Sequence, residues 1–526
     1  MSLLHSTTVQ YALVGILLAL LLRVLVLSWT NAITRNGETL KKPPNTLPLV
    51  GNGIQFLQAR WKLFGWFDKC QRQFGYETVA ITVPTLPPGV LIHDPRNLDY
   101  VFKNEGIFTK GTFVKGRSWD LFGNGIINAD GEFWKLQRKA GLSFLNTANL
   151  RVLTDIALPQ YLFQSVKELQ SKSGGREVVD LQHVFHEITT KLMGKMAYNM
   201  EMQADDEFAQ SFDYASGGTA ERFQNPLWQV TELIFGAKLR RSISIVKEFG
   251  RRIVASAVKD REQLQKQDLA SENSADSNKL DQISGSLIQS LLDAIPDERM
   301  VADAALTYLS AGRDTTGQAL TWTFYTLMRH PEVTAKIRAE VEQVFAANGL
   351  SLPITSEEKE KNSFDPTLFT ASSMPYAMAV FYESLRLFPP IPFEIRQCTE
   401  AVTLPDGTFL PKDSVLVWCL WAMHRSKLTW GDDADDFKPE RFLDADEGGR
   451  KKVVNRGASE FPVFYGGPRT CLGKKMAEAI AVQVIPTMSW LFDFVPEDGD
   501  MQKERRSKTS LTMPMEGGLP VFVKGR

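Results

Sequence analysis

Cysteine is scarce in this chain: four residues in 526, at Cys70, Cys398, Cys419 and Cys471, with no CxxC pair and no regular spacing. That scarcity argues against a disulfide scaffold and fits a reducing compartment. Histidine is sparse as well, with six residues, which argues against a histidine-rich metal centre. Charge of one sign is missing: 60 Lys and Arg against 61 Asp and Glu leave a net charge of −1, so no nucleic-acid partner is expected. There is no repeat and no central linker, and one large catalytic domain is expected in place of two or three average ones.

What is present starts with a greasy segment. Tyr11 to Trp29 is apolar except for Arg23 and, with its flanks, is long enough to cross a bilayer as a helix. Arg23 costs a few kcal/mol at mid-membrane, which the surrounding leucines offset. Arg35, Lys41 and Lys42 follow the run and no lysine or arginine precedes it, so the positive-inside rule places the catalytic part in the cytosol. A cleaved signal peptide is the alternative, disfavoured by the length of the run and its uncharged start. The expected layout is an anchor over 1–35, a proline-rich hinge over 36–50 built on Pro43, Pro44 and Pro48, and a catalytic domain over 51–526.

The expected fold is mainly α with a small β region. Helical periodicity dominates Ala129 to Phe345, while Thr78 to Val83 and Val415 to Trp418 read as short strands. Ser271 to Asp281 and Ala346 to Phe364 are polar and read as surface loops.

Three segments carry chemistry. The first is Phe464-Tyr-Gly-Gly467-Pro-Arg469-Thr-Cys471-Leu-Gly473, a glycine-rich loop leading into a helical run, Lys474 to Ile485. A cysteine there meets the positive end of a helix and free backbone N–H groups, which favours a thiolate able to bind a metal. Gly467 and Gly473 let a flat ligand press on the backbone, Arg469 offers a fork to a carboxylate, and Phe464 shields the sulfur. An inert buried cysteine is the alternative reading.

The second segment, Val301 to His330, reads as one helix ending before Pro331. Ala311 and Thr315 share a face, and the small residues Ala311 and Gly312 leave a hollow at mid-helix, where a threonine hydroxyl bonded one turn back loosens the ladder. Asp314 and Thr315 can relay protons there; the alternative is a helix threonine beside a surface ion pair. In the third, Glu383 and Arg386 lie three apart on one helical face and can form a charged pair.

The cysteine loop fits F-x-x-G-x-R-x-C-x-G and resembles the haem-binding signature of the cytochrome P450 monooxygenases, with five motifs in family order from Pro43 onward. The resemblance implies a cytochrome P450 fold with Cys471 as the metal ligand of haem b. It makes Asp314 and Thr315 the acid–alcohol pair of oxygen activation, and completes a structural triad of Glu383, Arg386 and Arg441. Trp134, Arg138, Arg396 and Arg469 become partners of the haem propionates.

Electrons would come from NADPH through a flavoprotein reductase, with cytochrome b5 a second candidate donor, docking on Lys474, Lys475, Arg450, Lys451 and Lys452. The location implied is the endoplasmic reticulum membrane, single-pass. Leu404 to Thr408, Trp430 to Phe437 and Phe122 to Gly131 resemble the eukaryotic branch that hydroxylates fatty acids and alkanes. A tailoring hydroxylase of a polyketide, terpenoid or lipopeptide would share these motifs. A haem-thiolate isomerase or dehydratase, or a haem sensor, would not need the Asp314–Thr315 pair.

Overall fold

The computed structural model describes residues 7–29, 33–47, 50–83, 86–268, 280, 285–350, 365–445 and 449–526. The polar stretch 271–281, except Leu280, and residues 351–364 of the second expected loop lie outside them.

The chain opens with helix α1, Thr7–Trp29, the expected anchor segment. Among the described residues no helix is long and apolar enough to cross a membrane, and the side chains of 22–29 lie outside that set. The expected hinge begins inside the folded body. Thr34 and Arg35 pair with Glu38 and Thr39 on one side and with Thr408 and Phe409 on the other, and Ile33 and Leu40 are buried. Arg35 adds ion pairs to Glu77 at 3.1 Å and Asp406 at 3.2 Å, so residues 36–40 are held by pairing and charge, and prolines stiffen only the stretch from Pro43 onward.

Helix α2, Arg60–Phe74, leads into strands β1, Val79–Ile81, β2, Gly89–Leu91, and β3, Phe108–Thr109. The helical middle holds α3, Gly131–Phe144, α4, Leu181–Tyr198, α5, Glu207–Gln224, α6, Trp228–Phe235, and the 32-residue α7, Glu298–Arg329. Beyond it come α8, Pro375–Leu387, strands β4, Phe393–Cys398, and β5, Val415–Cys419, and α9, Lys474–Leu491. The five strands form one sheet in the order β1-β2-β5-β4-β3, with only β2 and β5 parallel.

Helix α7 is the spine. Asp297 caps its first turn by accepting from the Arg299 N–H at 2.8 Å, and Pro331 follows its end. Most of its side chains are buried, and α4 lies close along it. Thr189 of α4 donates to the Arg313 carbonyl at 2.9 Å and Tyr198 to the Ala305 carbonyl at 2.7 Å. A Cβ at Gly312 would lie 2.5 Å from the Met193 sulfur, and one at Gly317 would lie 2.2 Å from the His186 ring, so both glycines admit α4. Gly312 thus serves helix packing as well as lining, with Ala311, the hollow expected there.

Candidate active site

Two residues deep in the fold remain exposed, Ala311 at the middle of α7 and Cys471 in the loop before α9. Both line one cavity of ≈ 540 Å³, and so do Ile126, Ile127, Phe381 and Ile391. Protein encloses the thiol on its other sides. Burial raises the Cys471 pKa, while the N–H groups of Gly473 and Lys474 and the charge of Arg138 pull it down. The helix start thus acts on the sulfur as expected, but burial outweighs it.

The loop is shaped by its own hydrogen bonds. The Cys471 N–H donates to the Phe464 carbonyl at 2.8 Å, and Thr470 closes a turn onto Gly467 at 3.1 Å. Gly467 has φ +62°, and a Cβ on it would lie 2.2 Å from the Phe102 carbonyl oxygen. It is outside the cavity lining, so its glycine is required by the turn and by Phe102, not by a flat ligand as expected. Gly473 differs: it lines the cavity, and a Cβ there would meet only the Cys471 sulfur, at 3.9 Å. Tyr465 holds φ +60° without being glycine. Its ring packs on Phe102 at 4.4 Å and under the Arg396 guanidinium at 4.6 Å, contacts that offset the backbone cost.

Trp134 and Arg138 lie side by side on α3 and both line the cavity. Arg138 donates to the Thr470 carbonyl at 3.0 Å and makes no ion pair among the described residues, leaving it charge to offer. Arg469 and Arg396 are also at the cavity, but each already holds an acid. Arg469 pairs with Glu105 at 2.7 Å and Asp130 at 2.9 Å, and Arg396 with Glu394 at 3.0 Å. Lys110 joins the second cluster, 3.4 Å from Glu394, and burial lowers its pKa to about 8. Sequence reading missed Lys110 as a site residue because only the β3–β4 pairing brings it beside Arg396.

On α7, Thr315 donates to the Ala311 carbonyl at 2.7 Å and faces the cavity. Asp314 is 2.6 Å from Arg313, which also reaches Asp213 of α5 at 3.0 Å. The Asp213 side chain is 39% exposed, so the chain Asp213–Arg313–Asp314 connects solvent to the buried acid. Burial raises the Asp314 pKa to about 6, against the opposing pull of Arg313.

The triad closes as expected. Arg386 grips Glu383 with two bonds, 2.7 and 2.8 Å, and Arg441 lies 3.3 Å from the same carboxylate. Arg386 also donates to the carbonyls of His424, Ala434 and Asp436, so the pair pins α8 to the segment before Arg441.

One exposed thiol, an acid-free arginine beside it, and an open glycine edge fit a haem better than a zinc or a mononuclear site; among the described residues no cluster of metal-ligating side chains occurs. Comparison with known proteins agrees. A match to the family described as Cytochrome P450 spans residues 42–521, and the chain belongs to that family. It is 27% identical to Cytochrome P450 94A1 of Vicia sativa over 92% of this chain and 90% of that protein. It is 30% identical to Cytochrome P450 94C1 of Arabidopsis thaliana over 90% and 92%. To Cytochrome P450 monooxygenase cyp1 of Mycosarcoma maydis it is 28% identical over 94% and 77%. The chain is thus an oxidoreductase of the class that holds haem through a cysteine thiolate.

Proposed function

We propose that this protein hydroxylates fatty acyl or alkyl chains, tethered to the endoplasmic reticulum membrane by α1 with its catalytic domain in the cytosol. The carrying observation is the cavity itself, which gathers Cys471, Ala311 and Thr315 in one chamber and surrounds them with Phe, Ile, Leu and Val side chains. Leu233 and Phe235 on α6 are 80% and 79% exposed, and Ile54, Leu57 and Trp61 are exposed ahead of and within α2. Such apolar surface suits contact with the lipid that delivers the substrate.

The Cys471 thiolate would hold a haem, which would supply O2 activation, with one oxygen atom going to a C–H bond and the other to water for two electrons and two protons. The protein residues do the rest. Arg138 and Trp134 would hold a haem carboxylate, while Arg396 and Arg469, already paired with acids, line the same cavity. Asp314 takes protons from solvent on the Asp213 side, with Arg313 as the fixed counter-charge, and passes them to the Thr315 hydroxyl, which turns from the Ala311 carbonyl to the cavity. The apolar walls exclude bulk water and hold one carbon over the reacting centre, which sets regioselectivity. Electrons come from NADPH through a flavoprotein reductase, with cytochrome b5 as a second donor, docking on the exposed Arg450, Lys451, Lys452 and Lys475.

The test is spectral and analytical. Reduced protein treated with carbon monoxide shows the red-shifted Soret band of a thiolate ligand, and Cys471→Ser loses it. Fatty acids of medium and long chain shift the haem absorption, and mass spectrometry of the products locates the added oxygen. Silence from every acyl chain would overturn the substrate assignment.

A further inference from the structure

Arg60, the first residue of α2, is 6% exposed and lines the cavity. Its Nη1 donates to the Ser510 carbonyl, its Nε has no partner, and among the described residues no carboxylate pairs with it. Its guanidinium lies over the rings of Phe64 and Phe393, at 5.6 and 5.5 Å. Other buried arginines are better satisfied. Arg386 holds Glu383 and three carbonyls, Arg222 pairs with Asp120 and Glu232, and Arg117 donates to two carbonyls. A guanidinium taken from water without a counter-charge costs several kcal/mol unless something pairs with it.

Position sharpens the point. Lys110, Arg396 and Arg469 also line the cavity, but all three hold acids, and Arg138 sits at the Cys471 floor. Arg60 is at the other end. It lies against Phe393, the first residue of β4, three residues before Arg396, whose guanidinium lies on Tyr465 of the cysteine loop. At strand spacing that is about 10 Å along β4. Its neighbours at the cavity wall are Phe56, Leu63, Phe67, Val83 and Leu86, and the next residue, Trp61, lies outside the lining and is 43% exposed on the outer side of the same helix. Ser216 and Ser510, hydroxyls 2.8 Å apart, add polar groups beside it.

We propose that Arg60 is the anchor for the carboxylate of an acyl substrate, holding the acid group at this end of the cavity while the chain runs toward Cys471. The proposal rests on the acyl-chain reading above and adds its head-group selectivity. An ionised carboxylate supplies the charge and acceptors that the guanidinium lacks; a methyl ester or alkane supplies no charge. Burial lowers the Arg60 pKa to about 10, so the group stays cationic at neutral pH.

The experiment is a haem-absorption titration of the full-length holoenzyme with hexadecanoic acid, its methyl ester and hexadecane. The unaltered protein binds the acid about ten-fold tighter than the ester, the scale of a hydrogen bond to a charged group. Arg60→Met removes that difference by weakening the acid alone, and Arg60→Lys restores part of it. Products of Arg60→Met show oxygen spread over more carbons. Equal affinity of the unaltered protein for acid and ester overturns the anchor and leaves the acyl-chain reading standing, with no variant required. An Arg60→Met protein that loses acid and ester equally assigns Arg60 to wall structure and also overturns it. If acid, ester and alkane all fail to bind, both readings fall.

Discussion

The Asp314 carboxylate is held 2.6 Å from the guanidinium of its chain neighbour Arg313, and the same guanidinium reaches Asp213 on a different helix. The acid proposed for proton delivery is therefore leashed to a group that touches solvent, and it lines the cavity together with Thr315.

This leash gives turnover a pH dependence. Burial raises the Asp314 pKa from 3.8 to about 6, so the carboxyl keeps its proton to higher pH than a free aspartate. Only the protonated form donates, and turnover falls as pH rises through about 6. Asp314→Asn slows product formation by roughly 10²-fold, within the range for general acid catalysis, and flattens that bend; Arg313 keeps Asp213, so the Soret spectrum is unchanged. Rates of product formation across pH 5 to 8 check both.

Breaking the triad acts on the fold. Arg386→Leu leaves the fully buried Glu383 carboxylate with only the more distant Arg441 and the Lys438 N–H. Loss of about 3–5 kcal/mol is expected, and haem content and the unfolding midpoint fall together. A normal midpoint with lost activity would place the pair in catalysis instead.

Glu340 is a second titrating group, away from the cavity. It accepts from the Tyr376 and Ala377 N–H groups at the start of α8, at 2.7 and 3.0 Å, and burial raises its pKa from 4.5 to about 7. A raised folded-state value means that its stabilising contribution is complete below pH 4.5 and lost as pH rises through about 7. Glu340→Gln removes a loss of up to ~3 kcal/mol between pH 5 and 8, read as a flatter pH slope in urea unfolding.

Gly467→Ala tests the loop. The substitution forces a Cβ to within 2.2 Å of the Phe102 carbonyl at a φ of +62°. A cost of about 1–3 kcal/mol for the backbone alone, plus the displaced loop, lowers haem incorporation. Haem-to-protein ratio after purification measures it.

Much of the site was legible because it is local. Cys471, Gly473 and the start of α9 lie within a few residues, and Ala311 with Thr315 or Glu383 with Arg386 are one helical turn apart, so short-range spacing suffices. Gly467 was recognised as necessary but for the wrong neighbour, since the atom that forbids a side chain there belongs to Phe102, and Gly312 lines the hollow but also admits Met193, a contact remote in sequence. The acids beside Arg396 and Arg469 were misjudged likewise. Glu105 and Asp130 meet Arg469 only after the chain has folded back across more than 300 positions, and Glu394 reaches Arg396 from two residues away on the same strand.

Residue order carried the chemistry through the resemblance of the Cys471 loop and the Asp314–Thr315 helix to the family's motifs, while spacing alone left an inert cysteine and a surface ion pair open. Three-dimensional packing alone decided which charges are already spent and which are free. Neutralisation depends on distances of about 3 Å between distant segments, and no periodicity encodes those. Arg60 is the clearest case: one basic residue among many in the chain, set apart only because folding buries it in the cavity wall without an acid.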